Sequence, residues 1–314
     1  MSAPTNTMPA KKKIRTSFIA MAFLPLMIML ILNTGATIPA VIIGVIDQKK
    51  NGTVDLQDVG GLLGSPAAQT ALLIGFIAYA VTAIIIFFIW YKKVFLKHQI
   101  KMSNKEVFTL KKVVLAVVLI LGTSAVINLG LIALEALAPS VMESYADTMN
   151  SVGLGSNLLT TIIYACVLGP VAEELMFRGV TQGYFRRSGI NAVAVIFIQA
   201  ILFGIAHMNV VQSTYATVFG LSLGLLRYKY GNIRITCLAH IVFNIYGTFG
   251  VSLLQALELP DAAYYIIDAV LTVAGIVAAV IISKEPATDV DLYKTAPAPA
   301  PAAPLETTVK PAQA

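Results

Sequence analysis

Residues 69–91 read QTALLIGFIAYAVTAIIIFFIWY and contain no charged side chain. As an α-helix with a rise of about 1.5 Å per residue, this segment is long enough to cross the ~30 Å hydrocarbon core of a bilayer. Its apolar residues do not alternate with polar ones, as they would in a strand of a membrane β-barrel. The segment therefore predicts a transmembrane helix.

Comparable apolar runs recur along the chain. Besides residues 69–91, they lie at about 17–46, 113–136, 157–184, 191–211, 214–227, 234–256 and 264–283. Of all residues, 57% are hydrophobic and only 12% are charged, whereas about 25% are charged in a typical soluble domain. These observations exclude an ordinary soluble protein and predict an all-α fold, a polytopic membrane helical bundle of about eight transmembrane helices.

Lysine and arginine lie mostly in alternate connections between the runs. With the amino terminus inside, cytoplasmic segments would hold the basic residues at 11–15, 92–112, 186–187 and 227–234, and only Lys49 and Lys50 would lie outside. The positive-inside rule therefore predicts that both termini are cytoplasmic. The same clustering at helix ends explains the formal net charge of +6, so the expected partner is the lipid bilayer and not nucleic acid.

The two ends of the chain differ from the apolar runs. Residues 1–16 are polar and basic, and the run that follows them could be a cleaved signal peptide. Its apolar part exceeds the 7–15 residues of a typical signal core, which favours an uncleaved helix. Residues 285–314 are rich in Ala and Pro, as in APAPAPAAP, and predict a disordered tail.

The fourth run contains three ionisable residues, Glu173, Glu174 and Arg178. Each costs on the order of 2.5 to 3.5 kcal/mol near the centre of a membrane helix, so their presence requires a structural or functional reason. Glu174 and Arg178 are four residues apart and can pair, whereas Glu173 is rotated by about 100° and is the freer carboxylate. Pro170 should loosen the helix beside them and admit water or a substrate backbone. A purely structural salt-bridge cluster is the alternative.

Other polar residues lie in later runs. His207 is near the end of the fifth run, and His240 and Asn244 lie in the seventh. Because His240 and Asn244 are four residues apart, their side chains can act at one point, as the stabilisation of an oxyanion requires. Two histidines on separate helices and a pair of glutamates suit acid–base chemistry or metal ligation.

These residues form three motifs in a fixed order. EExxxR occupies residues 173–178, FxxxH runs from Phe203 to His207, and HxxxN runs from His240 to Asn244. Over roughly residues 155–250 the chain resembles the CPBP family of CAAX prenyl proteases and bacteriocin-processing membrane endopeptidases. The resemblance implies that Glu173 and His207 activate a water molecule and that His240 and Asn244 stabilise the oxyanion. It gives Glu174, Arg178 and Phe203 supporting roles.

The resemblance also divides the chain and suggests its chemistry. We expect a basic cytoplasmic segment at 1–16, transmembrane helices at 17–154, a catalytic membrane core at 155–284 and the tail at 285–314. The expected activity is that of a glutamic-type intramembrane endopeptidase in the plasma (inner) membrane of a prokaryote. It would cut a peptide or membrane-protein substrate near the cytoplasmic side.

Two questions stay open at this point. A metal-free mechanism is favoured, because the Glu174–Arg178 pair removes one potential ligand; a zinc site would use Glu173, Glu174, His207 and His240. The alternative functions are a non-catalytic membrane scaffold, a bacteriocin self-immunity protein of the same fold, or a transporter that uses the charges as a proton relay.

Overall fold

The computed structural model describes residues 14–52, 54–152, 158 and 161–288, and within this part all regular structure is helical. The helices are α1 (Thr16–Lys50), α2 (Val59–Leu63), α3 (Pro66–Val94), α4 (Asn104–Val107), α5 (Leu110–Leu137), α6 (Pro139–Val152), α7 (residues 161–187), α8 (Ala192–Ile205), α9 (Val210–Tyr230), α10 (Ile233–Gln255) and α11 (Asp261–Lys284). The all-α prediction is confirmed. Residues 1–13 and 289–314, which include most of the predicted basic segment and tail, lie outside the described residues.

Five helices are long and apolar enough to cross a membrane, namely α1, α3 with the turn that follows it, α5, α10 and α11. Large apolar side chains on their outer faces are exposed, for example Ile74 at 63% and Ile276 at 58%. In water such exposure would be unfavourable, but it suits contact with lipid. The predicted polytopic helical bundle is confirmed. The other three predicted runs also fall on helices, α7, α8 and α9.

Close helix packing holds α5 against α11. A Cβ atom added to Gly122 of α5 would lie 2.5 Å from the Cα atom of Gly275 in α11. Small residues permit such close backbone approach, which is how helices associate in lipid. The contact holds α11, whose sequence lies beyond the three motifs, against α5, and α5 itself packs against the motif-bearing helix α10.

Two predicted boundaries are wrong. The fifth run was expected to continue to residue 211, but α8 ends at Ile205. Asn209 caps the next helix by accepting a hydrogen bond from the backbone N–H of Gln212, and Met208 adopts a positive φ of 55°. The chain therefore turns between the helices, and α9 is longer than the predicted 214–227. A helix was also not predicted at residues 139–152, because the polar sequence of α6 lacks an apolar run.

Candidate active site

α7 switches between π-helical and α-helical geometry three times around the EExxxR motif. It is π-helical at Thr161–Leu168, α-helical at Gly169–Glu174, π-helical at Leu175–Thr181 and α-helical at Gln182–Arg187. π-helical turns are rare and often occur at functional sites. The predicted loosening near Pro170 thus takes the form of a wider helix and not of a break.

The register explains how Asn244 is held. In a π-helix the carbonyl of residue 165 accepts from the N–H of residue 170, but residue 170 is a proline and has no N–H. The side-chain nitrogen of Asn244 instead donates to the carbonyl oxygen of Ala165 at 2.6 Å. An amide nitrogen carries two hydrogens, so the second N–H of Asn244 is left for another acceptor.

Glu174, Arg178 and His240 form a buried cluster behind the site. The Nη1 atom of Arg178 lies 3.0 Å from Oε1 of Glu174, and both side chains have no exposed surface. The same oxygen lies 2.9 Å from Nδ1 of His240, and the Arg178 guanidinium lies 4.4 Å from the centre of the Phe203 ring. The predicted pairing of Glu174 with Arg178 is confirmed. Its second partner, His240, was not foreseen.

Glu173 lies on the other side of the His240 ring. Its Oε2 atom is 3.6 Å from Nε2 of His240, and its side chain is 27% exposed. His240 therefore lies between the two glutamates, with Nδ1 toward the buried carboxylate of Glu174 and Nε2 toward the more open carboxylate of Glu173. The two adjacent glutamates have different environments, as the helical spacing predicted.

His207 lies in the turn after α8, not within a helix. Its Nδ1 atom is 2.8 Å from the carbonyl oxygen of Phe203, and its ring packs edge-on against the Phe203 ring with centroids 5.0 Å apart. A carbonyl oxygen can only accept, so Nδ1 carries the proton and Nε2 can accept one. α8 has 14 residues and a length of about 21 Å, so its end, and His207, need not reach the far membrane surface.

One cavity of about 980 Å³ connects these side chains. Glu173, His207, His240 and Asn244 all line it, and so does Phe203. Glu174 and Arg178 do not, because they are buried behind the wall. The four residues to which the resemblance assigns catalysis thus face a single space, although they come from α7, the turn after α8, and α10.

The cavity also has lining residues that the sequence did not indicate. Tyr164 of α7 stacks on Phe76 of α3 with centroids 5.0 Å apart, and Tyr215 of α9 has its hydroxyl 3.3 Å from that of Tyr145 in α6. Tyr164, Tyr215 and Tyr145 line the cavity. Tyrosine is common in apolar membrane sequence, so nothing in the pattern marked these three.

The possible metal ligands are distributed as follows among the described residues. Among the described residues no three His, Cys, Asp or Glu side chains converge as ligands would. Within the zinc set considered from the sequence, Oε1 of Glu174 is bonded to Arg178 and His240, whereas the bond of His207 to a backbone carbonyl uses Nδ1 and leaves Nε2 available as a ligand. Structural and catalytic zinc sites require three or four free donor atoms around one point.

A family model agrees with the geometry. The model of Rce1-like type II CAAX prenyl endopeptidases matches residues 155–246. Residues 155–246 are therefore similar to the CAAX protease family. The match covers the three motifs, whereas α1 to α6 and α11 lie outside it. No curated protein and no solved structure matches the chain.

The cavity lies toward one end of the bundle. In α5 the lining begins at Ser124, in the second half of the helix, and in α11 it lies between Asp261 and Asp268, in the first half. The basic residues Lys112 and Lys284 are at the opposite ends of these helices. With the predicted orientation, the cavity therefore extends away from the cytoplasm, which differs from the expected cleavage near the cytoplasmic side.

Proposed function

We propose that this chain is a glutamic-type intramembrane endopeptidase. The observation that carries the proposal is the shared cavity, in which Glu173, His207, His240 and Asn244 face one space while Glu174 and Arg178 fix its wall. The match to Rce1-like endopeptidases supports endopeptidase activity. The glutamic-type mechanism and the roles of the individual residues are what we propose in addition.

In the proposed reaction, Glu173 accepts a proton from a water molecule held between it and Nε2 of His207. The resulting hydroxide attacks the carbonyl carbon of the substrate, and the carbonyl oxygen becomes an oxyanion. The second N–H of Asn244 and, when its ring carries both protons, Nε2 of His240 donate to this oxyanion. As the C–N bond breaks, the proton on Glu173 passes to the leaving nitrogen, and the products are a carboxylic acid and an amine.

Glu174 is a positioning residue in this scheme. It accepts from Nδ1 of His240 at 2.9 Å and so fixes the direction of Nε2, as second partners of histidine commonly do. Arg178 compensates the buried charge of Glu174. The pair therefore acts on the reaction only through His240.

We further propose where the enzyme works. The substrate is a peptide or a membrane protein, and the enzyme lies in the plasma membrane of a prokaryote with both termini cytoplasmic. Bacteriocin processing is one activity compatible with this placement. The positive-inside distribution supports the orientation, and the apolar helices support a multi-pass protein within the lipid bilayer.

The decisive experiment compares membrane-associated peptides from cells that produce the native chain and cells that produce Glu173→Gln. Peptides whose new termini appear only with the native chain are expected, and they would identify the cleaved bonds. The purified proteins should then reproduce these cleavages in lipid nanodiscs. Identical peptide sets in both strains would favour the non-catalytic scaffold or the self-immunity protein.

A further inference from the structure

A hydrogen-bonded pair of polar residues outside the three motifs also lines the cavity. Asp268 of α11 is 6% exposed, and its Oδ2 atom accepts a hydrogen bond from Nδ2 of Asn128 in α5 at 2.6 Å. Both residues line the same cavity as Glu173 and His240. Neither belongs to the segment that the family model matches.

Asp268 has no cationic partner among the described residues. The ion pairs found there join other carboxylates, and the one side-chain partner of Asp268 is the neutral amide of Asn128. A carboxylate in an apolar environment is costly unless a charge compensates it. A link that merely joined α5 to α11 could be made by two amides, so the link alone does not explain the charge.

Among the described residues, the lining of the whole cavity likewise has carboxylates without lysine or arginine to compensate them. Its described lining includes the carboxylates Glu173, Asp261 and Asp268 but no lysine or arginine. A concave apolar site that is lined by negatively charged carboxylates attracts cationic ligands and raises their local concentration. Asp261 is exposed at the start of α11, where water screens it, so Asp268 is the carboxylate that can bind most specifically.

We propose that Asp268, held by Asn128, is a specificity site that binds a cationic group of the peptide substrate. The group is either a lysine or arginine side chain or a free α-ammonium group. This inference rests on the proposed function, because it assigns the ligand of the Asp268 site to the substrate of the same cavity. It makes the enzyme selective for cationic peptides, which the family match does not predict.

The test measures peptide binding separately from cleavage. The inactive full-length Glu173→Gln protein in nanodiscs is titrated with fluorescent peptides from the substrate identified above, or from a mixed-sequence library when none is known. Each peptide is made with lysine and with norleucine at one position, and with a free or an acetylated amino terminus. The lysine and norleucine peptides differ in charge but hardly in apolar surface.

Asp268→Asn should weaken binding of the cationic peptide by about tenfold or more and change binding of its neutral counterpart less than about twofold. The pair of peptides that shows the difference, lysine against norleucine or free against acetylated terminus, identifies the cationic group. Asp261→Asn is the matched control and should have little effect on either peptide. Asp268→Glu keeps the charge and should retain most of the selectivity.

Three outcomes would overturn the inference. Equal weakening of cationic and neutral peptides by Asp268→Asn would reveal a structural link between α5 and α11, and no weakening of either would exclude a binding role. If Asp268→Asn does not fold, the inference can be tested on the protein that retains Asp268. Equal affinity of that protein for the lysine and norleucine peptides, and for the free and acetylated termini, would also overturn the inference. Asp268-dependent binding without cleavage by the native chain would instead contradict the proposed function alone.

Discussion

Glu174→Gln should destabilise the protein, and Glu173→Gln should abolish cleavage with little change in stability. Glu174 and Arg178 are completely buried and lie 3.0 Å apart. Removal of one member of a buried pair leaves an uncompensated charge and typically costs about 3 to 5 kcal/mol. Glu173 is 27% exposed, and its contact with Nε2 of His240 is long at 3.6 Å, so its replacement should change the free energy of unfolding by about 0.5 kcal/mol or less.

The two effects can be measured on the same samples. Unfolding in mixed micelles gives the free energy, and cleavage of one fluorogenic peptide gives the activity. The double variant Glu174→Gln with Arg178→Met should recover much of the lost stability, because the unpaired guanidinium is gone. Its activity should stay low, because Nδ1 of His240 has still lost its carboxylate partner.

A stable, inactive Glu174→Gln protein beside an unstable, active Glu173→Gln protein would refute this reasoning. It would exchange the roles of the two glutamates and move the catalytic carboxylate one position along α7. Loss of stability in both variants would indicate that Glu173 also belongs to the buried cluster.

Three further predictions follow from the orientation, the site and the helix packing. Single cysteines at positions 50 and 145 should react with an impermeant reagent from outside, and those at 100 and 310 should not; labelling of position 100 would reverse the topology. Peptidase activity of purified protein should survive strong chelation, whereas inactivation reversed by stoichiometric zinc would reassign the histidines and glutamates as ligands. Gly122→Ala should lower the free energy of unfolding by about 1 to 3 kcal/mol, because its Cβ atom would meet Gly275. In the control Gly130→Ala the new Cβ atom meets nothing within 4 Å, so this change should be neutral or stabilising by up to about 1 kcal/mol. Equal effects of the two substitutions would show that α5 and α11 are not closely packed at Gly122.

The sequence was most informative where local spacing determines geometry. The separation of four residues between Glu174 and Arg178 was sufficient to predict their ion pair, and the apolar runs were sufficient to locate the long helices. The end of α8 depended instead on the cap at Asn209 and on the turn at Met208, which lie within apparently continuous apolar sequence. Helical periodicity therefore predicted His207 within a helix, whereas α8 ends two residues earlier at Ile205.

Contacts between distant helices could not be predicted from spacing. His240 and Asn244 do lie on one face, but the bonds of His240 to Glu174 and of Asn244 to Ala165 depend on how α10 packs against α7. Asp268 could have been singled out, because a carboxylate in an apolar run is itself a functional signal. Its partner Asn128 comes from a helix 140 positions earlier, and only the tertiary fold brings the two together.

Pro170→Ala provides a last test of how α7 serves the site. The alanine N–H could donate to the carbonyl of Ala165 and compete with Asn244, which now holds that carbonyl at 2.6 Å. Replacement of a helix-interior proline should maintain or raise stability, by up to about 3 kcal/mol, and activity should fall as Asn244 loses its fixed position. Pro25→Ala is the matched control, because Pro25 lies inside α1 and does not line the cavity; it should change stability in the same direction without lowering activity. Full activity in a stable Pro170→Ala protein would show that the bond between Asn244 and Ala165 does not position the oxyanion donor.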